Sequence, residues 1–126
     1  MTREPASCVA SDTAARAAYL MEHWKVGGIP VVDDLDVDRL VGMITERDLA
    51  EKVVAQGLDP RRVKAEEIMT RPAVACREED ELDAAVQLMH ARGIGRIPVV
   101  DKAWRLVGII SEADLAVHGQ ETEHIA

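Results

Sequence analysis

The sequence predicts an α+β fold, a pseudo-twofold tandem of two β-α-β-β-α repeats, and three observations carry that prediction. The first is a duplication. Ile29-Pro30-Val31-Val32-Asp33 recurs letter for letter as Ile97-Pro98-Val99-Val100-Asp101. Leu40-Val41-Gly42-Met43-Ile44-Thr45-Glu46-Arg47-Asp48-Leu49-Ala50 returns, with like residues, as Leu106-Val107-Gly108-Ile109-Ile110-Ser111-Glu112-Ala113-Asp114-Leu115-Ala116. The offset is 68 residues from Met1-Thr2-Arg3 (onto Met69-Thr70-Arg71) through Asp33, and 66 from Leu40 onward, so the first copy holds two extra residues in one loop. The second observation is a helical stripe, Ala14, Ala17, Ala18, Met21 and Trp24, echoed by Leu82, Ala85, Val86 and Met89. The third is the pair of β-branched runs in each copy, separated by polar residues. A repeat of this size needs its twin to bury its apolar face, so any site is expected in two versions.

Each element follows from local chemistry. Ala6-Ser7-Cys8-Val9 and Val74-Ala75-Cys76 read as short strands opening each repeat. Asp12 and Asp80 stand at the N-cap positions of the first helices, and Gly27 and Gly93/Gly95 at their ends. Strands at 29–32 and 40–44 form a hairpin across Asp33–Arg39; its twin crosses the shorter Asp101–Arg105 loop, which holds Trp104. Pro30 and Pro98 lack a backbone donor and belong at a strand start or edge. A second helix begins near Thr45 and runs to about Gln56, and its twin runs from Ser111 to about His118. Segment 61–68 connects the copies through Val63 and Ile68. The expected organisation is a first repeat at 1–58, a linker at 59–68, a second repeat at 69–118 and a flexible tail at 119–126.

Composition excludes several function classes. The 126 residues are 48% hydrophobic, enough for one compact domain, and no run approaches a membrane span. A net charge of −8 opposes nucleic-acid or anionic-membrane partners. Tyr19, Trp24 and Trp104 are the only aromatics, which leaves little stacking surface for bases. The start of the chain carries no apolar signal segment, so a cytoplasmic protein is expected. Two cysteines without CxxC spacing are then reduced thiols, and His23, His90, His118 and His124 share no metal-ligand spacing. No nucleophile–base pair or metal constellation stands out, so no catalytic residue is expected.

The phrase Gly42-Met43-Ile44-Thr45-Glu46-Arg47-Asp48 and its copy, Gly108 to Asp114, carry the chemistry. They lie where a strand gives way to a helix, where unpaired N–H groups attract anions. Gly42 and Gly108 permit close approach of a ligand or a backbone. Thr45 and Ser111 offer hydroxyls, and the carboxylates of Asp48 and Asp114 suit the vicinal hydroxyls of a ribose. The same Thr-x-x-Asp and Ser-x-x-Asp spacing also fits a capping box, in which each side chain satisfies the other's backbone donor. Both readings stand at this level.

Gly27-Gly28-Ile29-Pro30-Val31-Val32-Asp33, Gly42-x-x-Thr45-x-x-Asp48 and Glu67-Ile68-Met69-Thr70 together resemble a cystathionine-β-synthase (CBS) domain pair, also called a Bateman module. The resemblance runs from Met1 to about Val117, and it extends to small stand-alone bacterial members of hypoxia- or stress-response type. It implies a non-catalytic regulatory module that requires no cofactor. Such a module binds AMP, ADP, ATP, S-adenosylmethionine or NADH in clefts between the repeats and signals by conformational change. It further implies ribose contacts from Asp48 and Asp114, sugar or phosphate contacts from Thr45 and Ser111, and an adenine lying along the short and Ile-Pro-Val strands. Those strands contribute Ala6, Ile29, Pro30 and Val31 to one site, and Val74, Ile97, Pro98 and Val99 to the other. A homodimer is the default assembly, and with no catalytic or transport domain attached the output goes to a separate partner protein.

The mismatches between copies matter as much as the matches. Arg96 stands where the first copy has Gly28, and Arg47 where the second has Ala113. Either the two arginines converge on one phosphate, or both are ordinary surface residues. Cys8 and Cys76 are equivalent: either small core residues or a redox pair. The alternative function is an interaction protein of stress response with vestigial pockets, redox-linked through those thiols.

Overall fold

The computed structural model describes residues 1–3, 5–34, 36–71 and 73–112. Along the chain run β1 (Thr2–Arg3), β2 (Cys8–Val9), α1 (Ala14–Trp24), β3 (Gly28–Val32), β4 (Leu40–Thr45) and α2 (Glu46–Leu49), which continues as a π-helical segment, Ala50–Val54. Then follow α3 (Ala65–Ile68), β5 (Cys76–Arg77), α4 (Leu82–Arg92), β6 (Arg96–Val100) and β7 (Leu106–Ser111). Both copies therefore take the expected α+β form. Among the described residues no helix is long and apolar enough to cross a membrane. The expected helix after Ser111 and the tail lie outside the described residues.

Two compact units emerge, Ala6–Ala73 and a second made of Met1–Pro5 with Val74–Ala126. In the first, the sheet order is β2-β3-β4, with β2 parallel and β4 antiparallel to β3. Ile29, Val31 and Ile44 from the sheet pack with Ala14, Ala17 and Met21 of α1 and with Val53, Val63, Ala65 and Ile68. Segment 61–68 thus ends in a short helix whose apolar residues complete this core. In the second unit the order is β1-β7-β6-β5, and Ile97, Val99 and Ile110 pack on Leu82, Ala85 and Met89 of α4.

The opening residues of the two copies exchange places. Thr2 and Arg3 pair with Ile109 and Gly108, while their sequence equivalent Thr70 bridges Met43. Each copy's Met-Thr-Arg therefore lies against the last strand of the other copy, a placement that local sequence does not encode.

Several boundaries differ from expectation for local reasons. Thr13, not Asp12, caps α1, its hydroxyl accepting from the Arg16 N–H at 3.1 Å. Asp12 and Asp80 instead accept from the backbone of Val9 and Arg77, both at 2.9 Å, closing the turns after β2 and β5. Helix α4 starts after Glu81 without a side-chain cap. Gly93 closes α4 at φ 62°, as expected, but α1 ends at Lys25 with φ 55°, not at Gly27. Trp24, placed on the apolar stripe by spacing, is 58% exposed because the helix ends beneath it.

The two hairpin loops close alike despite their different lengths. Asp33 N–H donates to Arg39 O at 2.8 Å, and Asp101 N–H to Arg105 O at 3.0 Å. In each, the residue before the arginine is left-handed: Asp38 at φ 55° and Trp104 at φ 63°. The Asp101 carboxyl is held below the usual range first by the Arg105 backbone N–H, and also by the Arg105 guanidinium and the Ala103 N–H.

Candidate ligand site at the strand-to-helix turn

Strand β4 runs into α2 at Thr45, and the turn is a capping box. Thr45 Oγ1 accepts from the Asp48 N–H at 3.2 Å, and Asp48 Oδ2 accepts from the Thr45 N–H at 2.9 Å. The capping function that the spacing allowed is thus realised. It does not use up Asp48, whose carboxylate also accepts from Thr45 Oγ1 (3.2 Å), Thr70 Oγ1 (3.2 Å to Oδ1) and the Lys52 ammonium (2.9 Å). Lys52 Nζ donates in addition to the Ile68 carbonyl at 2.9 Å. A carboxylate has about four acceptor positions, so its capacity is filled from within the unit. Asp48 is accordingly buried, with 8% of its side chain exposed.

Lys52 and Thr70 are the residues that motif reading missed. Lys52 stands four positions after Asp48, the spacing of helical neighbours, and that signal was present in the sequence. The π-helical turn that holds Lys52 is marked by the Ala55 N–H donating to Ala50 O at 2.8 Å. Thr70 could be found only through the fold, because it arrives from 22 residues away.

Gly42 serves this arrangement. A Cβ there would lie 2.7 Å from Met69 Sδ and 3.0 Å from Thr70 O, so the absent side chain makes room for the Met69 side chain and the Thr70 carbonyl. Gly108 occupies the same place opposite Arg3 of β1.

The remaining residues divide by exposure and face. Ile29 and Val31 are buried among the core residues of the first unit, and Ile97 and Val99 among those of the second. Their side chains are committed to packing against α1 and α4, so side-chain contact with an adenine from these four is not what the structure provides. Pro30 and Pro98 are buried also, on the other face of each strand, while Ala6 and Val74 are half-buried. What the strands do offer is backbone. β2 spans only Val31 and Val32 of β3, and β5 only Val99 and Val100 of β6. Over Gly28–Pro30 and Arg96–Pro98 the corresponding edge has no strand beside it among the described residues. Gly28 pairs with Thr45 and Arg96 with Ser111, so each open edge ends at a strand-to-helix turn.

Arg47 is exposed, with a loose 3.9 Å contact to Glu51. Arg96 is half-buried, whereas a Cβ on Gly28 would meet Ile44 O at 3.1 Å. The asymmetry between the copies is therefore steric as well as electrostatic. Asp114 lies outside the described residues. Cys8 and Cys76 are buried free thiols. Burial pushes Cys8 up to about 12, with Asp12 adding to the shift, and Cys76 up to about 11, with Asp80 adding. Among the described residues no group of three His, Cys, Asp or Glu side chains is placed to hold a metal ion.

Two copies of one unit, each carrying a Gly-x-x-[Thr/Ser] turn at the end of its last strand, make the chain a duplicated α+β module. The chain belongs to the CBS domain family, which residues 1–55 and 65–120 match. Over 123 residues it is 38% identical to the CBS domain-containing protein YhcV of Bacillus subtilis, covering 98% of this chain and 84% of YhcV. It is 40% identical over 105 residues to protein MK0525 of Methanopyrus kandleri, covering 83% of this chain but spanning about half (53%) of that relative. Its match to the inosine-5'-monophosphate dehydrogenase of Methanocaldococcus jannaschii, 36% identical, takes in 82% of this chain and only 19% of the enzyme. Among solved structures, Hypoxic Response Protein I, determined with two coordinated zinc ions, is 32% identical with a TM-score of 0.84, covering 94% of both chains. The CBS domain pair of MJ0100, in complex with 5'-methylthioadenosine and S-adenosyl-L-methionine, is 30% identical with a TM-score of 0.79, covering 94% of this chain and 90% of that one. PAE2072 of Pyrobaculum aerophilum, complexed with AMP, is 28% identical with a TM-score of 0.80, covering 91% and 86%.

Proposed function

We propose that the chain is a non-catalytic regulatory module that binds an adenosine-containing ligand at its strand-to-helix turns and signals by conformational change. The observation that carries this reading is the junction of an open β3 edge over Gly28–Pro30 with the Thr45–Asp48 turn, paralleled at Arg96–Pro98 and Ser111. Unpaired strand backbone suits the hydrogen-bonding edge of an adenine, and a carboxylate and a hydroxyl suit the sugar. The adenosyl complexes of the MJ0100 pair and of PAE2072 support the ligand class by family relationship. Arg47 and Arg96 are the cations toward a phosphate, Asp114 takes the role of Asp48 in the second site, and the module works in the cytoplasm as a homodimer on a separate protein.

A thermal-shift series with AMP, ADP, ATP, S-adenosylmethionine and NADH tests the reading. A ligand at 100 times its Kd adds about 2.7 kcal/mol to stability, a rise of several degrees. At least one compound is expected to give that rise, and the Asp48→Asn/Asp114→Asn double variant to lose it. Unmoved melting curves at millimolar ligand would reject the proposal. The filled carboxylate of Asp48 favours one competing reading, an interaction or dimerisation protein with vestigial pockets, for which no compound of the series shifts the melting curve.

A further inference from the structure

Asp48 sits where a ligand's ribose is proposed to bind, yet its acceptor positions are taken. Two of its donors, the Thr45 N–H and hydroxyl, belong to the capping box and stay with it. The other two come from outside the turn: Lys52 Nζ at 2.9 Å and Thr70 Oγ1 at 3.2 Å. Lys52 also donates to Ile68 O, and Thr70 exchanges backbone hydrogen bonds with Met43 at 2.8 and 3.2 Å. The chain passes from this segment into the other unit after Ala73. We propose that Lys52 and Thr70 form an autoinhibitory latch on Asp48. A vicinal diol reaches the carboxylate only by displacing them, and their displacement loosens the Ile68–Thr70 segment that leads out of the unit.

The chemistry is an even exchange of donors. A ribose diol brings two O–H donors, matching the one hydroxyl and one ammonium hydrogen that it replaces. Lys52 is 41% exposed along its side chain, so its ammonium can swing into water at little cost. Asp48 cannot move likewise, because both capping bonds fix it. The latch is therefore the element with two states, and ligand and latch compete for one group. The second copy places His118 at the position of Lys52, so the two sites differ in this control.

The inference rests on the adenosyl reading above, and its test separates the two. AMP and S-adenosylmethionine binding is measured by calorimetry on the full chain and on its Lys52→Gln and Thr70→Val variants. Native-state hydrogen exchange is followed over residues 66–71 in the same proteins. With the latch removed, the probe that binds is expected to bind about tenfold tighter, as when a competent state rises from about a tenth to nearly all of the population. Ligand-free variants are expected to exchange at 66–71 as fast as the ligand-bound parent. Unchanged or weaker binding in both variants overturns the latch. If neither probe, nor ADP, ATP or NADH in the same assay, binds any of the proteins, the adenosyl reading fails; protection at 66–71 that is equal in parent and variants then overturns the latch as well. Thr70→Val keeps the side-chain volume, so it remains informative if Lys52→Gln fails to fold.

Discussion

A carboxylate taken out of water costs free energy unless its lone pairs are filled, and Asp48 fills them with a backbone N–H, two hydroxyls and an ammonium. The same residue ends a strand, starts a helix and anchors the chain arriving at Thr70. The thiols of Cys8 and Cys76 are buried too, and burial is the main influence on them. Cys8 titrates near 12 in the native state, raised from 9.0 mainly by burial. Between those values the unfolded chain has released a proton that the native chain keeps, so stability falls as pH rises through that window. Its contribution to the slope is at most about 1.4 kcal/mol per pH unit. Urea unfolding between pH 8 and 10.5 should therefore show a steeper alkaline decline for the parent than for Cys8→Ala, and parallel profiles would contradict the assignment. A buried thiol held protonated is a poor redox nucleophile, which favours a packing role for Cys8 and Cys76 over a redox one.

At the scale of elements, the two copies solve one problem with different residues. Both first helices end in a left-handed residue whose N–H caps the preceding carbonyls, but one uses Gly93 and the other Lys25. A side chain in that conformation costs about 1 kcal/mol, and the exposed Lys25–Glu22 ion pair returns only part of it. Lys25→Gly should raise stability by about 0.5–1 kcal/mol, read as a higher urea midpoint at unchanged slope; a lower midpoint would mean that the ion pair outweighs the strain. The elements themselves were largely legible. The β-branched runs marked β3 and β4, the Ala14-Ala17-Met21 stripe marked α1, and Thr45-x-x-Asp48 marked the start of α2. The caps slid by one or two residues because Asp12 and Asp80 close turns just as well as they start helices. The π-helical stretch and α3 were not legible, since Lys52 reaching Ile68 O and Val63 with Ala65 entering the core are tertiary choices.

At the scale of the whole molecule, the decisive feature is the exchange of Met-Thr-Arg segments. β1 shields the outer edge of β7 in the unit it joins, and Met1 packs on that unit's core. Deleting residues 1–5 should therefore raise amide exchange across Leu106–Ser111 by tenfold or more and leave β3 and β4 protected as before. Equal loosening in both units would show that β1 supports the molecule in some other way. The sequence by itself determined the duplication, the strand–helix alphabet of each copy and the doubled turn at Thr45 and Ser111, because periodicity, capping and proline restriction act within a few residues. Only the tertiary structure decided which copy each opening segment would join. It alone filled Asp48 from Lys52 and Thr70, and it buried the side chains of Ile29, Val31, Ile97 and Val99 in the cores of the two units. Those outcomes depend on which surfaces meet across long stretches of chain, and no local pattern carries that information.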